Sequence, residues 1–498
     1  MPRTIMTLVD TIDTSRTDIG TILEELFAQS GENLLVCGRT GRTWTRGEFE
    51  REALRFAAVL SHNIPKRTSG QPRVALRCGN SPEMLIVLWA ALLAGWHVFP
   101  IDVQKGREEA VGMLAAVHPD ILVAEVSDPG VAVCTLELAD LVRAAEDVRP
   151  LDFQGYGALD YSQDYLTVFT SGSTGEAKGV VHSFGSLFRA ASAFAAEFEF
   201  SGANTFFHNF PMSFMAGILN TFVMPLVSGS RIVVGDRQSV VAACGFWSQV
   251  VKWGADTFWF NPTFCSMLLK LDRSDVGECY CRGRKIVACI GTAPLDLAVK
   301  RRFEERYGFE LFESFGLSET LFVSTNTPRV PRMEGCVGVP LKGVDVSVAD
   351  DGELLIDVPW LMKRYLRSEA ACESPFRSGD FGELRDGGLF ITGRKKDIVI
   401  KGGVNVSPRR IESFVSEHFP ELGDVAVVGR PDALMGEKIV CFFTGAGHRC
   451  DITQKVNAGL RAELGRDFTV DSFVQLDALP LNTNGKIDKR VLREGVWR

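Results

Sequence analysis

A segment of small and hydroxylated residues, TSGSTGEAKG at positions 170–179, constrains the fold of this chain more than any other part of the sequence. It directly follows a β-rich run, LTVF. Backbone N–H groups of small residues can close around phosphate oxygens, hydroxyl groups add hydrogen-bond donors, and the Lys adds positive charge. A Walker A loop needs Gly-Lys-Ser/Thr in direct succession, whereas two residues separate Gly175 from Lys178. The segment therefore predicts a phosphate-binding loop of another kind.

The pattern of elements predicts an α/β fold in two domains. Strand-like runs such as RVALRC, RIVVG and KIVACIG alternate with helical stretches such as DLAVKRRFEERYG, and no repeat period is present. After about residue 340, short β segments such as GELLIDV predict a β-rich portion that closes the large domain. SPRRIESFVSEHF, DVAVVG and ITQKVNAGLRAELG then predict a smaller α+β unit. We expect a large N-terminal domain at residues 1–394 and a small C-terminal domain at residues 395–498.

Charge and apolar patterning exclude several classes of function. The net charge is −8 with Lys and Arg scattered, which argues against a nucleic acid or an anionic membrane surface as partner. The apolar stretch 84–101 is interrupted by Gly95, His97 and Pro100, so we expect a buried helix that ends at Gly95 and leads into a strand, and no membrane span. Acidic residues near the N-terminus do not fit a secretory signal, which predicts a cytoplasmic location. The twelve Cys residues form no CxxC pair and no zinc-ligand pattern with His.

An ordered set of motifs places these expectations in a family. The motifs are TSGSTGEAKG (170–179), FGLSET (315–320), SGDFGEL (378–384), GRKKDIVIKGGVNVSPRRIE (393–412), LPLNTNGKIDKR (479–490) and, more weakly, LLAGWHVFPIDV (92–103). Together they resemble the adenylate-forming superfamily of acyl-CoA synthetases, aryl-acid ligases, luciferases and peptide-synthetase adenylation domains. The resemblance covers roughly residues 30–490, and it implies an ATP-dependent enzyme with a mobile small domain.

The resemblance implies a set of residues that bind ATP and Mg2+. The phosphates would be held by Thr170, Ser171, Gly172, Ser173, Thr174, Gly175 and Lys178, and the nucleoside side by Phe315, Gly316, Asp380 and Arg394. Glu319 would coordinate Mg2+, a hard cation that prefers carboxylate and phosphate oxygens, and Ser318 would offer a hydroxyl to the α-phosphate. Three positions depart from the usual pattern, because Ala177 stands in place of Pro, Phe315 in place of Tyr and Ser318 in place of Thr.

The same resemblance assigns roles to the C-terminal motifs. Asp380 would accept hydrogen bonds from both ribose hydroxyls, a task suited to a carboxylate with two oxygens. Lys396 falls at the hinge between the domains, and Lys486 falls at the catalytic lysine that serves adenylation but not thiol transfer. Gly402 and Gly403 would let the backbone approach the pantetheine arm of CoA, because they have no side chain.

The acid-binding pocket is the least defined part of the sequence. The resemblance points to Phe207, His208, Asn209, Phe214, Phe264, Gly291, Thr292 and Ala293. His208 and Asn209 resemble the HN pair of aryl-acid ligases, but a single His beside aromatic residues also fits a pocket wall. Residues 206–211 contain no acidic residue that would pair with an ammonium group, so we expect an acid that is not an amino acid.

The motif set favours one function and leaves others open. The favoured function is an acid:CoA ligase that uses ATP, Mg2+ and CoA to form an acyl-AMP from a small carboxylic acid and then a thioester. A stand-alone adenylation enzyme that loads a separate carrier protein is the alternative, because the tail FVQLDALPLNTNGKIDKR resembles peptide-synthetase adenylation domains. A non-catalytic nucleotide-binding scaffold is less expected, because Lys486, Glu319 and Asp380 are all present. A luciferase-like oxygenase shares the same motifs.

Overall fold

The computed structural model describes residues 16–29, 31–64, 70–125, 133–171, 177–445, 449–482 and 486–495. The α-helices are α1 (Arg16–Ala28), α2 (Arg46–Asn63), α3 (Pro82–Leu93), α4 (Arg107–Val117), α5 (Leu138–Asp147), α6 (Phe184–Phe198), α7 (Met215–Ile218), α8 (Met224–Val227), α9 (Val240–Trp253), α10 (Pro262–Leu271), α11 (Val276–Cys281), α12 (Leu297–Tyr307), α13 (Pro408–His418), α14 (Arg449–Glu463) and α15 (Lys489–Glu494). A π-helical turn, Leu219–Val223, joins α7 to α8, and short 3-10 turns lie at Tyr156–Ala158, Lys395–Asp397, Pro420–Leu422 and Arg466–Phe468.

The strands alternate with these helices through the first two thirds of the chain. They are β1 (Asn33–Cys37), β2 (Thr43–Thr45), β3 (Arg73–Arg77), β4 (His97–Pro100), β5 (Ile121–Ala124), β6 (Thr135–Glu137), β7 (Leu166–Ser171), β8 (Ala177–His182), β9 (Thr205–His208), β10 (Arg231–Val234), β11 (Thr257–Phe260), β12 (Val287–Ile290), β13 (Leu311–Leu317), β14 (Leu321–Thr325), β15 (Val339–Pro340), β16 (Asp345–Val348), β17 (Glu353–Asp357), β18 (Arg364–Tyr365), β19 (Phe376–Arg385), β20 (Gly388–Arg394), β21 (Val399–Lys401), β22 (Val404–Val406), β23 (Val425–Asp432), β24 (Gly436–Phe443) and β25 (Ser472–Gln475).

The apolar stretch before β4 forms the predicted buried helix. Helix α3 starts after Ser81, whose side chain accepts a hydrogen bond from the backbone N–H of Met84, and it has Pro82 in its first turn. Gly95 follows with a φ of +70°, which the chain needs to turn from the helix into β4. Among the described residues, no helix is both long enough and apolar enough to cross a membrane.

A nine-stranded sheet forms one half of the large domain. Its strand order is β15-β14-β13-β12-β11-β9-β10-β1-β2, with parallel pairing from β1 to β13 and antiparallel pairing at the β2, β14 and β15 ends. On β9, Phe206 and Phe207 enter different core clusters, because successive side chains point to opposite faces of a sheet. Both faces are covered, which explains why these strands read as continuous apolar runs.

A seven-stranded sheet forms the other half. Its order is β18-β8-β7-β4-β3-β5-β6, and β7 and β8 pair antiparallel up to the Ser171 and Ala177 pair. The short strand β18 pairs with the far edge of β8, where Tyr365 lies opposite Val180. This pairing brings β18, which is distant in sequence, beside the phosphate motif.

A four-stranded antiparallel sheet, β16-β17-β19-β20, is the predicted β-rich closing portion. The chain then enters a five-stranded sheet in the order β22-β21-β24-β23, with β25 parallel to β24. This sheet has its own cores, one beneath α13 and α14 and one that includes Leu479 and Leu492. The predicted fold, a large α/β domain with a small α+β domain, is confirmed. The boundary at residues 394 and 395 stays a prediction.

Candidate active site

The β7-β8 hairpin carries the described part of the phosphate motif. Thr170 lies opposite Lys178 in the antiparallel register, and its hydroxyl donates a weak 3.4 Å bond to the Lys178 carbonyl. Ser171 ends β7. The predicted residues Gly172, Ser173, Thr174 and Gly175 lie outside the described residues. Lys178 is exposed on β8, and its ammonium group can attract an anionic ligand.

The FGLSET motif forms the tight connection between β13 and β14. A Cβ atom on Gly316 would lie 2.0 Å from the carbonyl oxygen of Leu321, so the hairpin itself requires Gly at this position. Phe315 is half-buried on β13 next to this point, and its ring packs partly against the main core. The need for Gly316 is therefore explained by the fold, and the contact of Phe315 and Gly316 with adenine stays a prediction.

Ser318 and Glu319 occupy the turn of this hairpin. The Nε2 of His182 donates to the carbonyl oxygen of Ser318 over 2.7 Å. Burial lowers the pKa of His182 to about 4, with the bond to Ser318 opposing the shift, so the imidazole is neutral at pH 7. The backbone N–H of Met362 donates to the Glu319 carbonyl over 2.8 Å. Two backbone oxygens of the turn are thus fixed before any ligand binds.

The structure adds a residue that the sequence did not reveal. The hydroxyl of Tyr365 donates to Oε1 of Glu319 over 3.0 Å, and the ammonium of Lys178 lies 5.4 Å from the centre of the same ring. Burial raises the pKa of Tyr365, and the charge of Glu319 raises it further, so the hydroxyl keeps its proton. Tyr365 belongs to a polar segment, KRYLR, with no spacing that points to a site, and its position follows from the β8-β18 pairing alone.

Asp380 is held by the hairpin of β19 and β20. The register sets it opposite Arg394, whose Nε donates to Oδ1 of Asp380 over 2.7 Å. Asp380 is 1% exposed, and its second oxygen, Oδ2, has no hydrogen-bond partner among the described residues. Burial raises the pKa of Asp380, and the neighbouring Arg394 opposes that shift. A buried carboxylate with one oxygen free is suited to accept hydrogen bonds from a ligand.

Lys486 extends from the small domain into the large one. Its backbone N–H donates to Oδ1 of Asn482 over 3.0 Å. The ammonium lies 5.7 Å from the ring centre of Phe214. Burial lowers the pKa of Lys486 to about 8, aided by the charges of Arg394 and Lys396 and opposed by Asp380. The ammonium group of Lys486 therefore lies near Phe214, Asp380, Arg394 and Lys396.

The predicted pocket residues gather at the carboxyl ends of parallel strands. His208 ends β9 and is followed by Asn209, and both are buried. Burial lowers the pKa of His208 to about 4, so its ring is neutral at pH 7. The side chain of Asn209 accepts a 3.1 Å hydrogen bond from the side-chain amide of Gln238. The side-chain oxygen of Gln238 in turn accepts a 2.6 Å hydrogen bond from Asn261. The carboxyl ends of parallel strands lie at the same edge of the sheet, and open α/β sheets bind their ligands at this edge.

The GTAPL stretch follows β12 at the same edge. It supplies the predicted Gly291, Thr292 and Ala293. Thr292 has a φ of +72°, which is rare for a β-branched residue and marks local backbone strain. Phe207 and Phe264 lie in the second core, where each packs edge-on against Phe246. Contact of these five residues with a substrate stays a prediction.

The predicted hinge residue and the glycine turn follow β20 in the chain. Lys396 is exposed within the 3-10 turn Lys395–Asp397. Gly402 and Gly403 connect β21 to β22 with φ values of +59° and +83°, the pattern of a two-residue type I′ turn. The turn geometry explains both glycines, and their role near a thiol stays a prediction.

The described residues contain no group of three or more His, Cys, Asp or Glu side chains arranged to hold a metal ion. A divalent cation at Glu319 would therefore depend on oxygens supplied by a ligand, as Mg2+ commonly does beside phosphates.

Two family profiles match the chain. The profile described as AMP-binding enzyme matches residues 23–366, and the profile described as AMP-binding enzyme C-terminal domain matches residues 410–486. Similar proteins include the malonate–CoA ligase ACSF3 of Xenopus laevis, 24% identical over 86% of this chain and 83% of that protein. The sulfoacetate–CoA ligase of Cupriavidus necator is 30% identical over 65% of each chain.

Solved structures show the same fold. ATP-bound MatB from Rhodopseudomonas palustris is similar with a TM-score of 0.81 and 23% identity, covering 99% of both chains. The o-succinylbenzoate CoA synthetase of Bacillus subtilis, in complex with its acyl-adenylate, is similar with a TM-score of 0.80 and 21% identity, covering 95% of this chain and 97% of that one.

Proposed function

Because the chain belongs to the AMP-binding enzyme family, we propose that it joins an organic acid to AMP and then transfers the acyl group to the thiol of CoA. The resemblance to the adenylate-forming superfamily is confirmed, and the class of enzyme is an AMP-forming acid–thiol ligase. In the first half-reaction a carboxylate oxygen bonds to the α-phosphorus of ATP and pyrophosphate leaves. In the second, a thiolate sulfur bonds to the acyl carbon and AMP leaves with the electrons of the broken C–O bond.

The position of Lys486 is the observation that carries this proposal. Its ammonium lies over Phe214 and within electrostatic range of Asp380. A positive charge between the acid pocket and the ribose side can stabilise the negative charge that builds up when the carboxylate attacks the α-phosphate. Desolvation of an ammonium group costs free energy, which favours a functional role for Lys486 over a purely structural one.

The described residues fit ATP. The free Oδ2 of Asp380 would accept a ribose hydroxyl, while Arg394 keeps the other oxygen in place. Thr170 and Lys178 would meet the phosphates at the end of the β7-β8 hairpin. Phe315 would stack on adenine, since a half-buried ring can cover one face of a base.

The site also fits Mg2+ through one carboxylate. Glu319 shares Oε1 with Tyr365 and has a second oxygen for a cation. The side chain of Glu319 would hold the Mg2+ in place, and the bound Mg2+ would neutralise charge on the phosphates. The pattern of one protein carboxylate and several phosphate oxygens is usual for this metal.

The acid is proposed to be an organic acid without an ammonium group. The pocket segment 206–220 contains no Asp or Glu that could pair with an ammonium group. The acids in the names of the relatives, malonate, sulfoacetate and 2-succinylbenzoate, also lack an amine. Diacids therefore belong in a substrate panel beside fatty and aryl acids.

CoA is the proposed acceptor, because the relatives carry the name of CoA ligases. Loading of a separate carrier protein is the second candidate, favoured by the tail motif at residues 473–490. The cytoplasmic location stays a prediction, and several relatives are named as mitochondrial.

An acid-dependent exchange of labelled pyrophosphate into ATP tests the first half-reaction. We expect exchange with Mg2+ and a suitable organic acid and a background rate without acid. Asp380→Ala should weaken exchange strongly. Asp357→Ala removes a carboxylate on the adjacent strand β17 that accepts a hydrogen bond from Ser374, and it should not weaken exchange. Tight ATP binding without exchange for any acid of a broad panel would contradict catalysis. Mass detection of acyl-CoA, compared with an acylated carrier protein, then decides the acceptor.

A further inference from the structure

Tyr365 lies where two separate parts of the site meet. Its hydroxyl bonds Oε1 of Glu319 over 3.0 Å, and its ring faces the ammonium of Lys178 at 5.4 Å. One half-buried side chain therefore contacts both the predicted metal carboxylate and the predicted phosphate lysine.

The backbone around Tyr365 is fixed from two sides. The N–H groups of Lys363 and Leu366 donate to the carbonyls of Val181 and Gly179 over 2.9 and 2.8 Å, which attaches the segment to the strand of Lys178. On the other side, the N–H of Met362 donates to the carbonyl of Glu319 over 2.8 Å. The ring is thus held in place by main-chain bonds that need no ligand.

These contacts have a chemical consequence. An ionised carboxylate accepts hydrogen bonds at both oxygens, so the bond to Tyr365 fixes the rotation of Glu319 and leaves its other oxygen for a cation. The face of an aromatic ring attracts an ammonium group, which limits where the Lys178 side chain lies. Both effects reduce the ordering that ligand binding would otherwise require.

We propose that Tyr365 is a positioning residue that holds Glu319 and Lys178 ready for MgATP, so that the magnesium-dependent part of nucleotide binding relies on its hydroxyl. The inference rests on the proposed function, because Glu319 meets Mg2+ only if the chain binds ATP. Tyr365 is not a catalytic residue, since it acts through its two neighbours.

The test compares nucleotide binding by calorimetry, with Mg2+ and with EDTA, for Tyr365→Phe. This change keeps the ring and removes the hydroxyl. The Kd for MgATP should rise about tenfold, the size expected for one hydrogen bond to a charged group. The Kd in EDTA should stay unchanged, because Glu319 then has no cation to bind. In the exchange assay the Mg2+ concentration for half-maximal rate should rise, while the rate at saturating Mg2+ stays within about threefold.

Tyr280→Phe is the matched control. The Tyr280 hydroxyl donates to the carbonyl of Ala255 over 2.9 Å, and its half-buried ring packs against the second core rather than the site. Its loss should change neither Kd. Tyr365→Leu, which also removes the ring, should add about a two- to fivefold weakening in both buffers, because Lys178 loses its aromatic neighbour.

Two outcomes would overturn the inference. An unchanged MgATP Kd in Tyr365→Phe would show that the hydroxyl does not position the metal carboxylate. Equal weakening with Mg2+ and with EDTA, together with a lower Tm, would show a purely structural role. A wild-type protein that binds no nucleotide would instead remove the proposed function, which separates the two failures.

Discussion

The two sides of the site differ in how they are held. On the large-domain side, Asp380 and Glu319 lie on β-hairpins and are fixed by bonds of 2.7 and 3.0 Å to Arg394 and Tyr365. On the small-domain side, Lys486 reaches Phe214 of the large domain, and Lys396 is exposed. The first arrangement exists without ligand, whereas the second depends on where the small domain lies.

An exposed ion pair is one of the contacts that join the domains. Lys270 meets Asp424 at 2.7 Å with side chains 62% and 43% exposed, and such pairs contribute only about 0–1 kcal/mol. Around the hinge, Lys395 binds Asp351 and Asp397 binds Arg493 of α15. Lys396 therefore lies between Lys395, which pairs with the large domain, and Asp397, which pairs with the small domain. The large-domain side is therefore fixed by its own hairpins, whereas the position of Lys486 depends on how the two domains contact each other.

The largest expected effect comes from removing the lysine that crosses between the two sides. Lys486→Ala should lower acid-dependent pyrophosphate exchange roughly 10²–10³-fold, by analogy with the loss of a single charge-stabilising donor. Thioester formation from supplied acyl-AMP should stay nearly intact, because we propose that the small domain moves Lys486 away from the α-phosphate before the thiol attacks.

Lys489→Ala is the control in the same tail, since Lys489 pairs with Glu412 within the small domain at 2.7 Å. It should stay within about fivefold of wild type in both half-reactions. Equal losses in both half-reactions for a folded Lys486→Ala protein would contradict the separation of roles.

The hinge should give the opposite result. Lys396→Pro should reduce thioester formation from supplied acyl-AMP on the order of tenfold or more while exchange persists, because a fixed φ restricts the rotation between half-reactions. The measurement is the ratio of the two half-reaction rates. Lys395→Ala loses the pair with Asp351 but keeps backbone freedom, and it should leave that ratio unchanged. A ratio that does not move in Lys396→Pro would argue against a pivot at this residue.

The pH dependence should reveal the charge of Lys486. Its pKa is lowered to about 8, chiefly by burial, so the ammonium is lost as pH rises through that value rather than near 10.5. The kcat/KM of exchange should therefore fall by up to about tenfold per pH unit above pH 8, whereas the thiol half-reaction should not follow this limb. In Lys486→Arg the guanidinium stays charged, and whatever its absolute rate, the alkaline fall should disappear. A fall that persists in Lys486→Arg would assign it to another group.

The smallest effect is expected at the exposed domain contact. Lys270→Ala should change either half-reaction by less than about fivefold, because an exposed pair contributes little and salt screens it. High salt should bring wild type and variant together. A change of more than about tenfold would mean that this pair sets the position of the small domain, and the contrast between the two sides would need revision.

Residue type and spacing were sufficient to predict the features that depend only on local sequence. The buried helix α3 follows from an apolar pattern that is closed by Gly95 within one short segment. Thr292 shows the limit, because nothing in GTAPL predicts its φ of +72°.

The sequence alone determined the fold class and the set of polar groups that can meet a nucleotide. The tertiary structure decided which of them come together, because strand pairing and domain packing join residues far apart in the chain. Tyr365 reaches Glu319 only through the pairing of β18 with β8, and Lys486 reaches Phe214 only because the small domain lies against the large one. Contacts of this kind depend on the packing of whole elements, and no local pattern records them.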